Sequence, residues 1–234
     1  MNHYDNPEFF ASYAQMSRSQ QGLSGAGEWH QLQLLFPGLV GKDVLDLGCG
    51  YGWHCKYAAD HGAKRVLGID QSERMIAEAK KRNAMENIAY RICSLQDYEY
   101  PAAAYDLAVS NLVLHYVEDL DDIYRHVYKT LRSGGVFLIN IEHPTFTSGV
   151  NQQFAQDGTW PVDNYYYPGE RTTDFLGHKI TKYHHTLSQI IGGLLKAGFR
   201  IVAVEEATPP EEWRAFMPDE MRRPMMLLVK AIKE

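Results

Sequence analysis

Val44-Leu-Asp-Leu-Gly-Cys-Gly-Tyr-Gly-Trp53 is the stretch on which the reading of this chain turns. A short apolar run enters a cluster of three glycines, Gly48, Gly50 and Gly52, and a segment of helical character follows. Glycine reaches positive φ without a Cβ clash and lets the backbone approach a ligand, so this spacing predicts a strand–loop–helix cradle. The spacing is G-x-G-x-G, with Trp53 and His54 where a dinucleotide fingerprint would place a further glycine. Asp46 stands two residues ahead of the first glycine, where a carboxylate repels a pyrophosphate and suits a positively charged amino group. Downstream, Gly68-Ile69-Asp70 ends a second apolar run and offers a carboxylate to both hydroxyls of a ribose. Such an acid alone fits any adenosine cofactor. Combined with Asp46 and the glycine spacing, it points away from nicotinamide dinucleotides.

Outward from this loop the pattern recurs. Arg65-Val-Leu-Gly-Ile69, Ile88-Ala-Tyr-Arg-Ile92, Tyr105-Asp-Leu-Ala-Val109 and Gly135-Val-Phe-Leu-Ile-Asn-Ile141 are short runs bounded by turn formers, as buried strands are. Helices are predicted between them: over 72–84, with Ser72 as a possible N-cap, and over 119–131, stopped by Ser133-Gly134-Gly135. Alternating strand and helix means an α/β fold, a parallel sheet with helices on both faces. Residues 7–36 read as a largely helical cover over one end of the sheet. From 142 to 185 the periodicity fails while aromatics and histidines crowd together, which predicts a cap insertion, partly β over 174–185. A helix over 186–197, closed by Gly198, and strands over 199–205 and 225–232 complete the chain. The expected organisation is a single domain: cover 1–40, core 41–141, cap 142–185 and closing elements 186–234.

The composition excludes several classes. A chain of 234 residues with 45% hydrophobic and 22% charged residues has the ordinary globular mix. Three cysteines with no C-x-x-C pair argue against a disulfide scaffold or a cysteine-rich zinc site, and no metal is expected. Lys+Arg 23 against Asp+Glu 29 leaves a formal charge of −6, which argues against a nucleic-acid partner. No basic n-region opens the chain, and no apolar stretch approaches the roughly 20 residues needed to cross a bilayer. A cytoplasmic protein without membrane partners is expected.

Four ordered motifs resemble those of the class I S-adenosylmethionine-dependent methyltransferases, in the small-molecule group that includes the ubiquinone-biosynthesis type. Val44-Leu-Asp-Leu-Gly-Cys-Gly-Tyr-Gly is similar to the first motif and Val66-Leu-Gly-Ile-Asp70 to the second. Tyr105-Asp106-Leu-Ala-Val-Ser-Asn111 resembles the fourth-strand motif, and Leu131-Arg-Ser-Gly-Gly-Val-Phe the turn before the fifth strand. The likeness runs from 41 to 141 and continues more loosely through the closing strands. It implies a Rossmann-like, mostly parallel sheet of seven strands with the last antiparallel. It also implies S-adenosyl-L-methionine as cofactor, S-adenosyl-L-homocysteine as product, and a small-molecule acceptor methylated on O, N or C. By position, the loop backbone at Gly48, Cys49 and Gly50 would meet the methionyl part of the cofactor, with Asp46 near its amino group. Asp70 and Gln71 would take the ribose, and Ser94, Leu95 and Gln96 the adenine. Asn111 and Leu112 would line the space between cofactor and acceptor. Tyr13 would belong to the segment folding over the cofactor, with Arg18 either paired to its carboxylate or at the surface.

Transfer from a sulfonium needs alignment and exclusion of water, and for some acceptors a base. His115, just past the fourth strand, and His143, after the fifth, are the candidate catalytic residues; packing under the cap and loop anchoring are the alternatives. Glu142 accompanies His143. His184-His185 lacks the carboxylate spacing of a metal site and reads as solvated or strand-paired. Tyr165-Tyr166-Tyr167 reads either as an aromatic pocket wall or, for two of the three, as a seam holding the cap. Cys55 and Cys93 read as core residues, and Glu205-Glu206 and Met221-Arg-Arg-Pro224 as solvated charge. Asn111-Leu-Val-Leu is not the Asn-Pro-Pro-aromatic segment that grips a flipped base. The competing functions are a nicotinamide-dependent oxidoreductase and a non-catalytic protein that binds S-adenosylmethionine.

Overall fold

The computed structural model describes residues 3–149 and 152–234; Met1 and Asn2 of the expected cover and Val150 and Asn151 of the expected cap lie outside the described residues. Its strands are β1 (Asp43–Leu47), β2 (Arg65–Asp70), β3 (Ile88–Ile92), β4 (Tyr105–Asn111), β5 (Leu131–Glu142), β6 (Gly169–Phe175), β7 (His178–His184), β8 (Phe199–Glu206) and β9 (Met226–Lys233). The α-helices are α1 (Pro7–Ala14), α2 (Ser17–Gln21), α3 (Trp29–Leu35), α4 (Trp53–Asp60), α5 (Glu73–Arg82), α6 (Leu120–Thr130), α7 (Pro144–Thr147) and α8 (Leu187–Lys196). Seven strands form one sheet in the order β3-β2-β1-β4-β5-β9-β8, and β6 and β7 pair separately. Within the large sheet β9 runs antiparallel to both neighbours.

Period-two alternation divides the core between the two faces. Leu45 and Leu47 of β1, Phe137 and Ile139 of β5 and Leu227 and Val229 of β9 pack toward α6 and α8, against Ile123, Val127, Ile190 and Leu194. Val44, Leu107, Val109, Leu138 and Leu228 face the other way, onto α3 and α4 with Leu32, Leu35, Cys55 and Ala58. Caps hold the helix starts: Ser72 accepts from the Met75 amide, Asp119 from the Asp122 amide, and Thr186 and Gln189 form a reciprocal capping box. The chain leaves β1 toward β2 on one side and returns to β4 on the other. The carboxyl ends of β1 and β4 therefore flank the topological switch point, where open α/β sheets bind ligands.

Among the boundaries that differ from expectation, two have a clear physical cause. Helix α6 ends at Thr130, before the Ser133-Gly134-Gly135 stop, because Leu131 already pairs with Tyr105 and the glycines sit in an irregular stretch of that ladder. The β structure of the cap begins at Gly169 and is a hairpin. It turns through Leu176 and Gly177, both at positive φ (54° and 79°), as a tight hairpin turn requires.

Candidate functional site

A cavity of about 350 Å³ opens at the switch point. The glycine loop forms its floor. The Gly48 and Cys49 amides both donate to the Ile69 carbonyl, which ties the loop to the end of β2. Gly48 has φ +73°, and a Cβ there would lie 2.3 Å from the Val113 side chain; only glycine fits. At Gly50, φ is +51° and no atom lies within 4 Å of the Cβ position, so the loop backbone faces open space.

Asp70 stands beside that space. Its Oδ2 accepts from the Gly50 amide at 3.0 Å and its Oδ1 from the Ser72 amide at 2.8 Å. Burial raises its pKa to about 6, against the lowering effect of the two amides. Gln71, Ser94, Leu95 and Gln96 line the same wall, with Ser94 Oγ donating to Asp97 at 2.6 Å. Asn111 accepts from the Asn140 side chain at 2.9 Å, and Leu112, at φ +56°, donates its amide to the Asn140 carbonyl at 2.7 Å. The backbone is thereby turned away from β4 where it borders the cavity. An adenosine-type ligand fits these groups: an open glycine cradle, an anchored carboxylate at the strand end and a polar wall beyond it.

Other expected residues stand elsewhere. Asp46 does not border the cavity. By the alternation of β1 it shares the face of Val44, and its carboxylate is buried under the loop, accepting from Cys55 Sγ at 3.2 Å. Arg18 does border the cavity, with Tyr13, but both its terminal nitrogens donate to the buried Glu28 carboxylate at 3.1 Å. It is neither a surface arginine nor an unpaired cation. His143 is turned out of the cavity: Nδ1 accepts from the Thr145 amide as the cap of α7, and Nε2 lies 3.1 Å from Glu206. That is the loop-anchoring arrangement. His115 does line the cavity, is buried, and has Nε2 3.8 Å from Glu142 Oε1. Burial lowers its pKa to about 4, so the imidazole is neutral at pH 7.

The cap is built differently from its expected form. Tyr166 and Tyr167 are 85% and 73% exposed; Tyr165 alone is a seam residue, its hydroxyl accepting from the Leu187 amide and its ring against His184. None of the three borders the cavity. His184 is strand-paired, opposite Gly169, and both His184 and His185 are buried rather than solvated, bonded to Thr147 and the Tyr165 carbonyl and to the Val117 carbonyl. Arg223 is likewise no solvated charge: its guanidinium lies 4.4 Å from the Trp160 ring centroid and 4.8 Å from that of Phe146. The aromatic lining includes instead Tyr4, Tyr116, Phe146 and Phe175.

The site residues that escaped the sequence reading include Lys182 and Gln152. Lys182 had a signal: it falls in the buried phase of β7, between Ile180 and His184, where an apolar residue is expected. It forms an ion pair with Glu142 inside the cavity wall. Burial alone would raise the Glu142 pKa; the neighbouring His115 and the Lys182 ammonium outweigh this and hold the carboxyl below its usual range.

Residues 45–139 match the family described as "Methyltransferase domain". A solved Listeria monocytogenes protein assigned to the S-adenosylmethionine-dependent methyltransferases superposes with a TM-score of 0.86 at 46% identity, covering 91% of this chain and 99% of that one. A solved S-adenosylmethionine-dependent methyltransferase from Mesorhizobium loti gives a TM-score of 0.85 at 39% identity, covering 91% and 100%. An N-demethylindolmycin N-methyltransferase from Streptomyces griseus is 28% identical over 201 residues, which is 80% of this chain and 79% of that protein. Among the described residues, no helix is long and apolar enough to cross a membrane.

Proposed function

The chain belongs to the class I S-adenosylmethionine-dependent methyltransferases and uses that cofactor, and from this premise we propose that it methylates an O, N or C atom of a small molecule held between the glycine loop and the cap. The observation that carries this reading is the open face of Gly50 beside the anchored Asp70 carboxylate. When bound, the cofactor supplies an electrophilic methyl on a positively charged sulfur. The backbone of Gly48, Cys49 and Gly50 holds its methionyl part, Asp70 and Gln71 hold the ribose, and Ser94, Leu95 and Gln96 face the adenine. Asn111 and Leu112 border the reacting centre. Tyr13 and Arg18 cover the cofactor from the N-terminal segment, and the Arg18–Glu28 pair fixes that cover. Asp46 acts from beneath the loop through Cys55.

His115 is the candidate base: neutral at pH 7, it can take a proton, and Glu142 stabilises the cation formed. The described residues of the N-terminal cover and of the cap, 3–40, 142–149 and 152–185, exclude water from both ends of the site. The net charge of −6 supports a small-molecule partner over a nucleic acid, and three free cysteines support a reducing cytoplasm.

Calorimetry tests the reading directly. S-adenosylhomocysteine is expected to bind and NAD not to; the reverse would overturn it. Asp70→Ala is expected to weaken S-adenosylhomocysteine by roughly 1–3 kcal/mol, the range for losing hydrogen bonds to a charged group. An unchanged affinity would remove Asp70 from the ribose site.

A further inference from the structure

One wall of the cavity gathers ionisable side chains from three elements. Glu142 ends β5, Lys182 lies on β7, and His115 follows β4. Lys182 Nζ is bonded to Glu142 Oε1 and sits 5.2 Å from the Phe175 ring centroid; His115 Nε2 approaches the same oxygen at 3.8 Å. A buried ion pair loses several kcal/mol per ion in desolvation and is weak evidence for a purely stabilising role.

This cluster is also unfinished. Glu142 Oε2, His115 Nδ1 and Gln152 Nε2 are buried and have no hydrogen-bond partner among the described residues. The Gln152 amide lies close enough to the Glu142 carboxylate to help hold it ionised, yet neither Gln152 Nε2 nor Glu142 Oε2 meets a partner at full hydrogen-bond geometry. With the imidazole proton on Nε2, facing Glu142, two of the three open atoms accept and one donates.

Resting on the methyltransferase reading, we propose that Glu142, His115 and Gln152 form the acceptor subsite and that the acceptor is an uncharged hydroxyl, an alcohol or a phenol. A hydroxyl carries one donor and two lone pairs. It donates to His115 Nδ1 or Glu142 Oε2, accepts from Gln152 Nε2, and keeps one lone pair for the methyl. An amine has a single lone pair and cannot both accept from Gln152 and attack. A carboxylate has no donor and would set a second anion against Glu142. In the step itself the O–H bond breaks, its electron pair stays on oxygen, and the proton joins His115 Nδ1. An oxygen lone pair makes the new O–C bond as the methyl–sulfur bond breaks, and that bond's pair remains on sulfur. The resulting imidazolium faces the Glu142 carboxylate.

The test is binding of three probes of one shape, p-cresol, p-toluidine and p-toluate, measured by ligand-observed NMR on the protein saturated with S-adenosylhomocysteine. The wild type is expected to bind p-cresol about tenfold more tightly than p-toluate, the equivalent of ~1.4 kcal/mol, and, given S-adenosylmethionine instead, to methylate p-cresol in preference to p-toluidine, whose one lone pair Gln152 engages. Glu142→Gln is expected to cut the binding margin, and Gln152→Met to weaken p-cresol, each at least about threefold while S-adenosylhomocysteine affinity holds. Should Glu142→Gln not fold, Glu142→Gln/Lys182→Met leaves no lone buried charge and carries the same expectation. Equal or tighter binding of p-toluate, methylation of p-toluidine in preference to p-cresol, binding untouched by the substitutions, or no probe binding at all would overturn the proposal. Failure of S-adenosylhomocysteine to bind would instead strike the methyltransferase reading, and the probe preference of the cofactor-free protein would still decide the acceptor.

Discussion

Asp46 and Asp70 flank the same glycine loop, yet only Asp70 faces the cavity. Asp70 ends its strand and is turned to the loop by two backbone amides. Asp46 lies within β1, and the alternation that sends Val44 toward α4 sends its carboxylate to Cys55. There, burial above all and the charge of Asp70 in addition raise its pKa from 3.8 to about 7. A folded-state value above the unfolded one gives stability that is full below the unfolded pKa and is lost as pH rises through about 7. Asp46→Asn keeps the shape without the charge. Its thermal midpoint is therefore expected to gain on the wild type as pH rises from about 5 to about 8. A gap that stays constant or narrows would contradict the buried placement. Residue types at the loop were legible because the chemistry demands them. The orientation of Asp46 was not, because it depends on the parity of β1 against the helix beneath it.

At the scale of elements, local signals that act within a few residues were reliable. Thr186 and Gln189 cap α8 as a reciprocal pair, and Ser72 and Asp119 start their helices where their side chains allow. Thr186→Ala is expected to lower unfolding free energy by roughly 1 kcal/mol in urea titration. No change would mean that the cap is held by tertiary packing alone. Signals that depend on a partner strand were weaker. Nothing within 131–135 reveals that Leu131 will pair with Tyr105 and end α6 early. The β6–β7 hairpin was half visible, since its second strand alternates with Lys182 in the buried phase. Its first strand carries little apolar pattern, so only pairing defines it. The aromatic run at 165–167 misled for a related reason: composition marks a segment as sticky but not which rings meet the core.

Across the whole molecule, the end of the sheet opposite the cavity is tied by charges far apart in the chain. Arg132 donates to Asp43 at 2.9 Å and to Asp106 at 2.7 Å, and Arg65 donates to Asp43 at 2.7 Å, so β1, β2, β4 and β5 are linked. Arg65 first, and Arg132 with it, hold the Asp43 pKa down at about 2. A lowered pKa gives stability that is present above the ordinary value of 3.8 and lost as pH falls toward about 2. Arg132→Met is expected to lower the thermal midpoint at neutral pH, with the deficit shrinking as pH falls below about 4. A deficit independent of pH would show that the arginine acts through packing only. The order of strands and helices, the glycine cradle and the acid at Asp70 were present in the linear text, because backbone geometry and cofactor chemistry act over short spans. The pairing of Arg18 with Glu28, the exclusion of His143 and the meeting of Glu142 with Lys182 were decided by the folded structure alone. Each joins side chains from separate elements, and only the packing of those elements sets which atoms share a buried wall.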